Sequence, residues 1–273
     1  MSMIYHYCSP YAFQKIIENK CLWLSANNNM NDAAEGKWVI RALEKVVGQK
    51  ANDQNRTWLN SVLEEVERVV IPQYVACFSK KGDILSQWRA YAQNGEGVAI
   101  GFNQEELGLS IGIPSLKSRF QDCVKISDIK YIDTTSLEGE VEDIIDNWLG
   151  QDPDIRVHGV GDCGFALSSL SASVKNPAFF EEEEIRIIYA ALFQGDLRSG
   201  GFSLSNPVLG DMKYRTSNAF LTSYFEFNFS KLNPIKEIVL GPKNQFSDYD
   251  IRAFLQQNDC IDAKFERSKA TYR

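Results

Sequence analysis

Four consecutive carboxylates, Glu181 to Glu184, run without a break into Ile185-Arg186-Ile187-Ile188-Tyr189, which has the composition of a buried strand. A strand turns successive side chains to opposite faces. Glu182, Glu184 and Arg186 are therefore predicted on one face, and Glu181, Glu183 and Ile185 on the other. Carboxylates two residues apart at the mouth of such a strand repel one another unless a cation or a chemical task holds them together. Two readings stay open from these residues alone: a solvated acidic loop leading into a strand, or a working carboxylate pair.

The rest of the chain interleaves short strand-like and amphipathic segments without strict βαβ alternation. Strands are predicted at 3–7, 21–25, 73–79, 97–102, 124–132, 184–192, 220–227, 235–240 and 261–265. Helical spacing appears after Pro10 and near 37–48, 55–70, 84–93, 136–149, 165–174 and 247–257. The Asn-rich stretch 27–32 reads as a loop or turn and the Gly/Ser/Asn-rich 195–210 as a surface loop or hairpin. This mixture predicts an α+β fold, with a central mixed or split sheet flanked by helices and strands near residues 4, 76, 100, 187 and 237 at its core. No repeat, low-complexity linker or boundary divides the chain, so one domain over 1–273 is expected.

Composition narrows the function classes. A net charge of −7 argues against a dedicated DNA-binding surface, which depends on an excess of Lys and Arg. No run of 18 apolar residues is present and the first residues do not form a secretory signal, so no membrane partner is expected. The six cysteines are widely spaced without a CxxC pair, which predicts a reduced, cytoplasmic protein. With only His6 and His158, no metal site is expected. Motifs for α/β-hydrolase, P-loop and zincin chemistry are absent from the sequence, and Gly95-Glu96-Gly97 precedes a strand, unlike a dinucleotide fingerprint.

Four places combine residue types capable of chemistry: His6 within Tyr5-His6-Tyr7, Ser79 at the end of a strand, the Trp88/Tyr91 pair and the Glu182/Glu184 pair. Each has a plain structural alternative. A strand histidine is usually a satisfied structural residue, a strand-end serine a cap, and aromatics three apart on a helix are usually core. The Trp88/Tyr91 face could also stack a planar ligand. Cys77, among apolar strand residues, is expected to be buried and inert.

The ordered blocks Tyr5-His6-Tyr7, Ile16 to Ser25, Asn31 to Glu35, Cys77-Phe78-Ser79, Gln87 to Ala92, Gly97 to Phe102, Glu182-Glu183-Glu184-Ile185-Arg186 and Arg267 to Arg273 resemble a widespread bacterial family known only as a domain of unknown function. The resemblance spans nearly the whole chain. A more distant resemblance, carried by the order of a strand His, then Ser or Tyr, then Glu in an E-x-E strand, is to mono-ADP-ribosyltransferases. The opening block resembles members that modify DNA or RNA.

That second resemblance implies an ADP-ribosyltransferase-like fold and an NAD-using ADP-ribosyltransferase or NAD glycohydrolase. It places the protein as a toxin-like or phage-defence effector. It implies NAD as substrate, an acceptor that is protein or nucleic acid, and an antitoxin or regulatory partner. His6 would hold the NAD ribose or phosphate, and Ser79 would organise the nicotinamide pocket. Tyr91 or Trp88 would stack on the nicotinamide, and Glu184 would bond the ribose 2′-hydroxyl and stabilise the oxocarbenium ion. Glu182 would orient or deprotonate the incoming nucleophile, and Arg186 would keep Glu184 ionised. Alternation in the first strand is expected to aim His6 into the cleft, with Tyr5 and Tyr7 on the opposite face. Cys77-Phe78-Ser79-Lys80 stands where a Ser-Thr-Ser pattern is expected, so the middle role stays open between Ser79 and Tyr91. The alternative from a different class is a non-catalytic nucleotide- or protein-binding module with an aromatic pocket.

Overall fold

The computed structural model describes residues 2–27, 35–68, 73–115, 117, 119–196, 201–205, 207–217 and 220–272. Most of the predicted 27–32 turn lies outside the described residues. The chain opens with β1 (Met3–Cys8), α1 (Pro10–Asn19), β2 (Cys21–Ala26), α2 (Glu35–Lys50) and α3 (Arg56–Arg68). There follow β3 (Tyr74–Ser79), α4 (Leu85–Tyr91), β4 (Val98–Asn103), α5 (Phe120–Cys123), β5 (Val124–Asp128) and β6 (Lys130–Tyr131). Next come α6 (Thr134–Leu149), α7 (Pro153–His158), α8 (Val160–Ser173) and β7 (Val174–Lys175). A 3-10 turn, Pro177–Glu182, leads into β8 (Glu184–Tyr189), the hairpin of β9 (Phe193–Asp196) and β10 (Gly201–Leu204), and the hairpin of β11 (Lys213–Ser217) and β12 (Phe220–Asn228). β13 (Ile235–Leu240), α9 (Asp248–Gln257) and β14 (Lys264–Arg267) complete the order.

The fold is α+β, with a large mixed sheet flanked by helices. Ten of the described strands join in one sheet, and the predicted core strands β1, β3, β4, β8 and β13 all belong to it. β3 is its branch point. Along one edge it pairs with the whole of β8, from Tyr74 opposite Tyr189 to Ser79 opposite Glu184. Its other edge is shared: β2 takes the start (Ala26 opposite Tyr74, Ser25 opposite Val75), and β1 takes the end (Tyr5 opposite Ser79). β1 and β2 therefore diverge from one strand, and the sheet splits between them.

The two faces of the sheet bury different things. On one face Ile4, Leu22, Leu24, Phe78, Ile100, Phe102, Ile185, Ile187 and Tyr189 form the main core with α1 and α9. α1 is set for this: the Ser9 hydroxyl accepts from the Ala12 N–H, Pro10 opens the helix, and Phe13, Ile16 and Ile17 face the core. On the other face Tyr7, Ala99 and Val239 pack with Trp88 and Ala92 around α4, and Val75 and Ile188 pack with Ala172 of α8. A separate apolar core joins α2, α3, α6 and α8. Among the described residues, no helix is long and apolar enough to cross a membrane.

Several elements depart from the sequence expectation. The acidic run is no continuation of the strand, because Pro177–Glu182 forms a 3-10 turn and Glu183 takes left-handed backbone (φ 42°) before β8 begins at Glu184. Proline fixes the first turn, and the Asn176 side chain caps it by accepting from the Ala178 N–H. The predicted 124–132 strand breaks into β5 and β6, and β11 is an added strand. The last strand lies at Lys264–Arg267 instead of 261–265.

Candidate functional site

Glu184 stands at the head of β8, directly across from Ser79 of β3, and Arg186 stands across from Cys77. Paired residues and residues two apart share a face, so these four side chains leave the sheet on the α4/α8 side. Arg186 donates through Nε to Glu184 Oε1 at 2.7 Å and through Nη2 to Oε2 at 3.0 Å, so the ion pair expected from their shared strand face is two-pronged. Its remaining arm donates from Nη1 to the Ala172 carbonyl at 3.1 Å, which satisfies an acceptor in the last turn of α8. Arg186 has no solvent exposure.

Lys175, at the end of β7, joins the two carboxylates. Its Nζ donates to Glu182 Oε2 at 2.5 Å and Glu184 Oε2 at 3.1 Å, and lies 4.9 Å from the centre of the Phe179 ring. Tyr91 donates its hydroxyl to Glu182 Oε1 at 3.2 Å. The Glu184 N–H donates to the Tyr131 hydroxyl oxygen at 2.8 Å, and its carbonyl accepts from Ile129. Lys81 pairs with Glu183 at the rim. Glu182 and Glu184 thus share a site although only Glu184 lies in the strand, because the left-handed turn at Glu183 folds the chain back over Lys175.

Two carboxylates and two cations balance in charge, and all four groups are largely out of water. Burial pushes the Glu184 carboxyl up, but the charge and hydrogen bonds of Arg186, with Lys175, outweigh it and hold the group at about 2. Burial also pulls Lys175 down, and Glu184 and Glu182 reverse this, so its ammonium is held above the ordinary lysine range. The Tyr91 phenol is raised by burial and then by Glu182. Tyr131 is pushed up to about 12, chiefly by burial.

The predicted residues fall into two groups. Glu182, Glu184, Arg186, Ser79 and Tyr91 gather on one side of the sheet. His6 does not join them. It shares a face with Ile4 and Cys8, its ring lies 5.6 Å from Phe78, and Tyr5 and Tyr7 occupy the Glu184 side instead. The register decides this: Tyr5 is opposite Ser79, and Ser79 is opposite Glu184. His6 Nδ1 lies 2.9 Å from the Cys77 carbonyl, in the gap between β1 and β2, so the neutral ring donates where a backbone N–H is missing. Burial lowers its pKa and the carbonyl partly restores it.

Trp88 is also corrected as a stacking surface. It is wholly buried, edge-on to Tyr7 at 4.8 Å, and its indole N–H donates to Asp83 at 2.6 Å. Cys77 is half-buried rather than buried, beside Glu184. Lys175 and Tyr131 were not legible. Lys175 sits between a helix end and an Asn-Pro turn with no periodicity to mark it, and only the fold brings it to Glu182. No curated protein and no solved structure matches the chain. The stretch that carries most of α4, Tyr131, Lys175 and the Glu182/Glu184/Arg186 cluster, residues 87–187, matches the family described as "Protein of unknown function (DUF2971)".

Proposed function

We propose that the protein is an NAD-using ADP-ribosyltransferase or NAD glycohydrolase, with Glu184 and Glu182 as its working carboxylates. The observation that carries this reading is the placement of an ionised Glu184 at the head of β8, across from Ser79, with Glu182 and Tyr91 beside it. In this reading the bond between ribose C1′ and the nicotinamide nitrogen breaks, its electron pair leaves with nicotinamide, and Glu184 stabilises the sugar cation. Glu182 orients the water or acceptor nucleophile and takes its proton. Tyr91 supplies the aromatic wall, and Ser79 supports the strand end opposite Glu184. His6 is not retained as an NAD contact, because it faces the other side of the sheet.

Incubation with NAD and cell lysate, followed by chromatography for free nicotinamide and for labelled protein or nucleic acid, tests this. Wild-type protein releases nicotinamide, and Glu182→Gln and Glu184→Gln lose at least a hundredfold. Equal release by wild type and Glu184→Gln would falsify the assignment. As a toxin-like or phage-defence effector, it arrests growth on expression and Glu184→Gln does not.

A specific observation favours a second reading. Both Glu184 oxygens are already bonded to Arg186 and Lys175, as in a structural ion cluster. In that reading the protein is a non-catalytic nucleotide- or protein-binding module. Titration calorimetry with NAD separates the two: binding that survives Glu184→Gln, without any nicotinamide release, belongs to the module.

A further inference from the structure

We propose that Asp83 is a positioning residue: it ties the segment Ser268–Tyr272 to α4 and so fixes Tyr91 against Glu182. The buried indole N–H of Trp88 requires an acceptor. Its acceptor is Oδ1 of the exposed Asp83, at 2.6 Å. The Ser268 hydroxyl donates to the same oxygen, and the backbone N–H of Lys269 donates to Oδ2 at 2.7 Å. One carboxylate therefore serves a core tryptophan and a surface strap at once.

The strap continues to the far end of the helix. The Tyr272 hydroxyl donates to Asn94 Oδ1 at 2.7 Å, and its ring lies 4.2 Å from Lys243 Nζ and 5.9 Å from the Arg89 guanidinium carbon. Asn94 lies in an unusual turn: Gln93 and Asn94 have φ of 47° and 55°, followed by Gly95 at 91°. Consecutive left-handed residues other than glycine persist only where their surroundings hold them. From the sheet side, the Tyr7 hydroxyl accepts from the Ile84 N–H and donates to the Lys81 carbonyl, both at 2.9 Å. α4 is thus held at its start by Tyr7 and Asp83 and past its end by Tyr272. Tyr91, its last residue, reaches Glu182.

The catalytic part of this inference rests on the NAD reading; the coupling between strap and site does not. Hydrogen exchange read by mass spectrometry tests the coupling directly. Asp83→Ala raises exchange at least tenfold in peptides spanning 84–92 and 177–183 and leaves 98–103 unchanged. Asp83→Asn keeps an acceptor for Trp88 and falls between. Ser268→Ala, which leaves Trp88 satisfied, gives a smaller rise in the same peptides and serves if Asp83→Ala does not fold. Faster exchange in 84–92 with 177–183 unmoved, or equal loosening everywhere, overturns the proposal. In the nicotinamide assay Asp83→Asn lowers kcat severalfold with the KM for NAD within twofold; an unchanged kcat alongside loosened 177–183 overturns the catalytic part. Absence of nicotinamide release by wild type sinks the NAD reading and leaves the exchange result standing.

Discussion

The helical layer and the Glu184 corner meet at α8, and they use charge in opposite ways. The layer of α2, α3, α6 and α8 is apolar inside, with Val39, Leu43, Leu59, Val62, Val141 and Leu167 buried together. Its ion pairs, Lys45 with Glu138 and Lys50 with Glu142 and Asp146, stay at the wet rim. The corner does the reverse and buries two carboxylates, a lysine and an arginine under the end of the same helix. Exposed pairs contribute little to stability. Buried ones carry a desolvation cost that apolar residues of similar size avoid. Stability alone is a weak account of charges kept dry in one place and wet in another, which is the physical ground for testing function at the corner.

The strongest test of that contrast is Arg186→Met. It leaves Glu184 buried beside a single cation and is expected to cost about 3–5 kcal/mol in denaturant unfolding. Adding Glu184→Gln to it recovers part of the loss, because the uncompensated charge has gone; no recovery means that Arg186 acts by packing alone. In the helical layer, Leu59→Ala costs about 2–5 kcal/mol through the cavity it opens, with no dependence on pH. A pH-dependent loss there means that the two regions are not independent.

The next effect separates the regions by proton uptake. The Glu184 carboxyl is lower in the folded chain, at about 2, than its ordinary 4.5. The stabilisation it brings is therefore fully present above the ordinary value and lost as pH falls from about 5 towards 2. The size is about 3 kcal/mol at one order of magnitude in binding per 1.4 kcal/mol. Thermal melts from pH 6 to pH 2 show the decline in wild type, and Glu184→Gln flattens that part of it. The smallest effect is at the rim: Lys50→Ala changes stability by less than about 1 kcal/mol, and salt removes most of the difference. A larger, salt-independent loss would place Lys50 with the buried cluster and erase the contrast.

Local chemistry made much of this legible. Pro10 and the 13/16/17 spacing announced α1, and the apolar run of 185–189 announced β8 as a buried strand. The pairing of Glu184 with Arg186 followed from a period of two. His6 failed for a different reason. Alternation says which residues of one strand share a face, but which face meets another strand depends on register, and register is set by long-range pairing. Glu182 lies beside Glu184 as strand alternation expected, but a turn and not a strand brings it there. Lys175 and Tyr131 enter only through the pairing of β6 with β7, which sets Tyr131 opposite Lys175 across a separation that no short window of residues encodes. Gly82 belongs to the same class: a Cβ there would lie 2.5 Å from the Tyr5 ring, a closeness that appears only in three dimensions.

The branching of β3 also sets a timetable for synthesis. Its edge partners β1 and β2 leave the ribosome before it, but its full-length partner β8 follows only after residues 80–183 have been made. At roughly 5–20 residues per second, one side of the central strand stands open for several seconds or more. That edge, Tyr74 to Ser79, is mostly apolar, and an unpaired apolar strand is a template for joining other chains. The helices α6 and α8, made within the interval, can fold from local contacts first, whereas the corner that holds Glu184 must wait for β8 to be made.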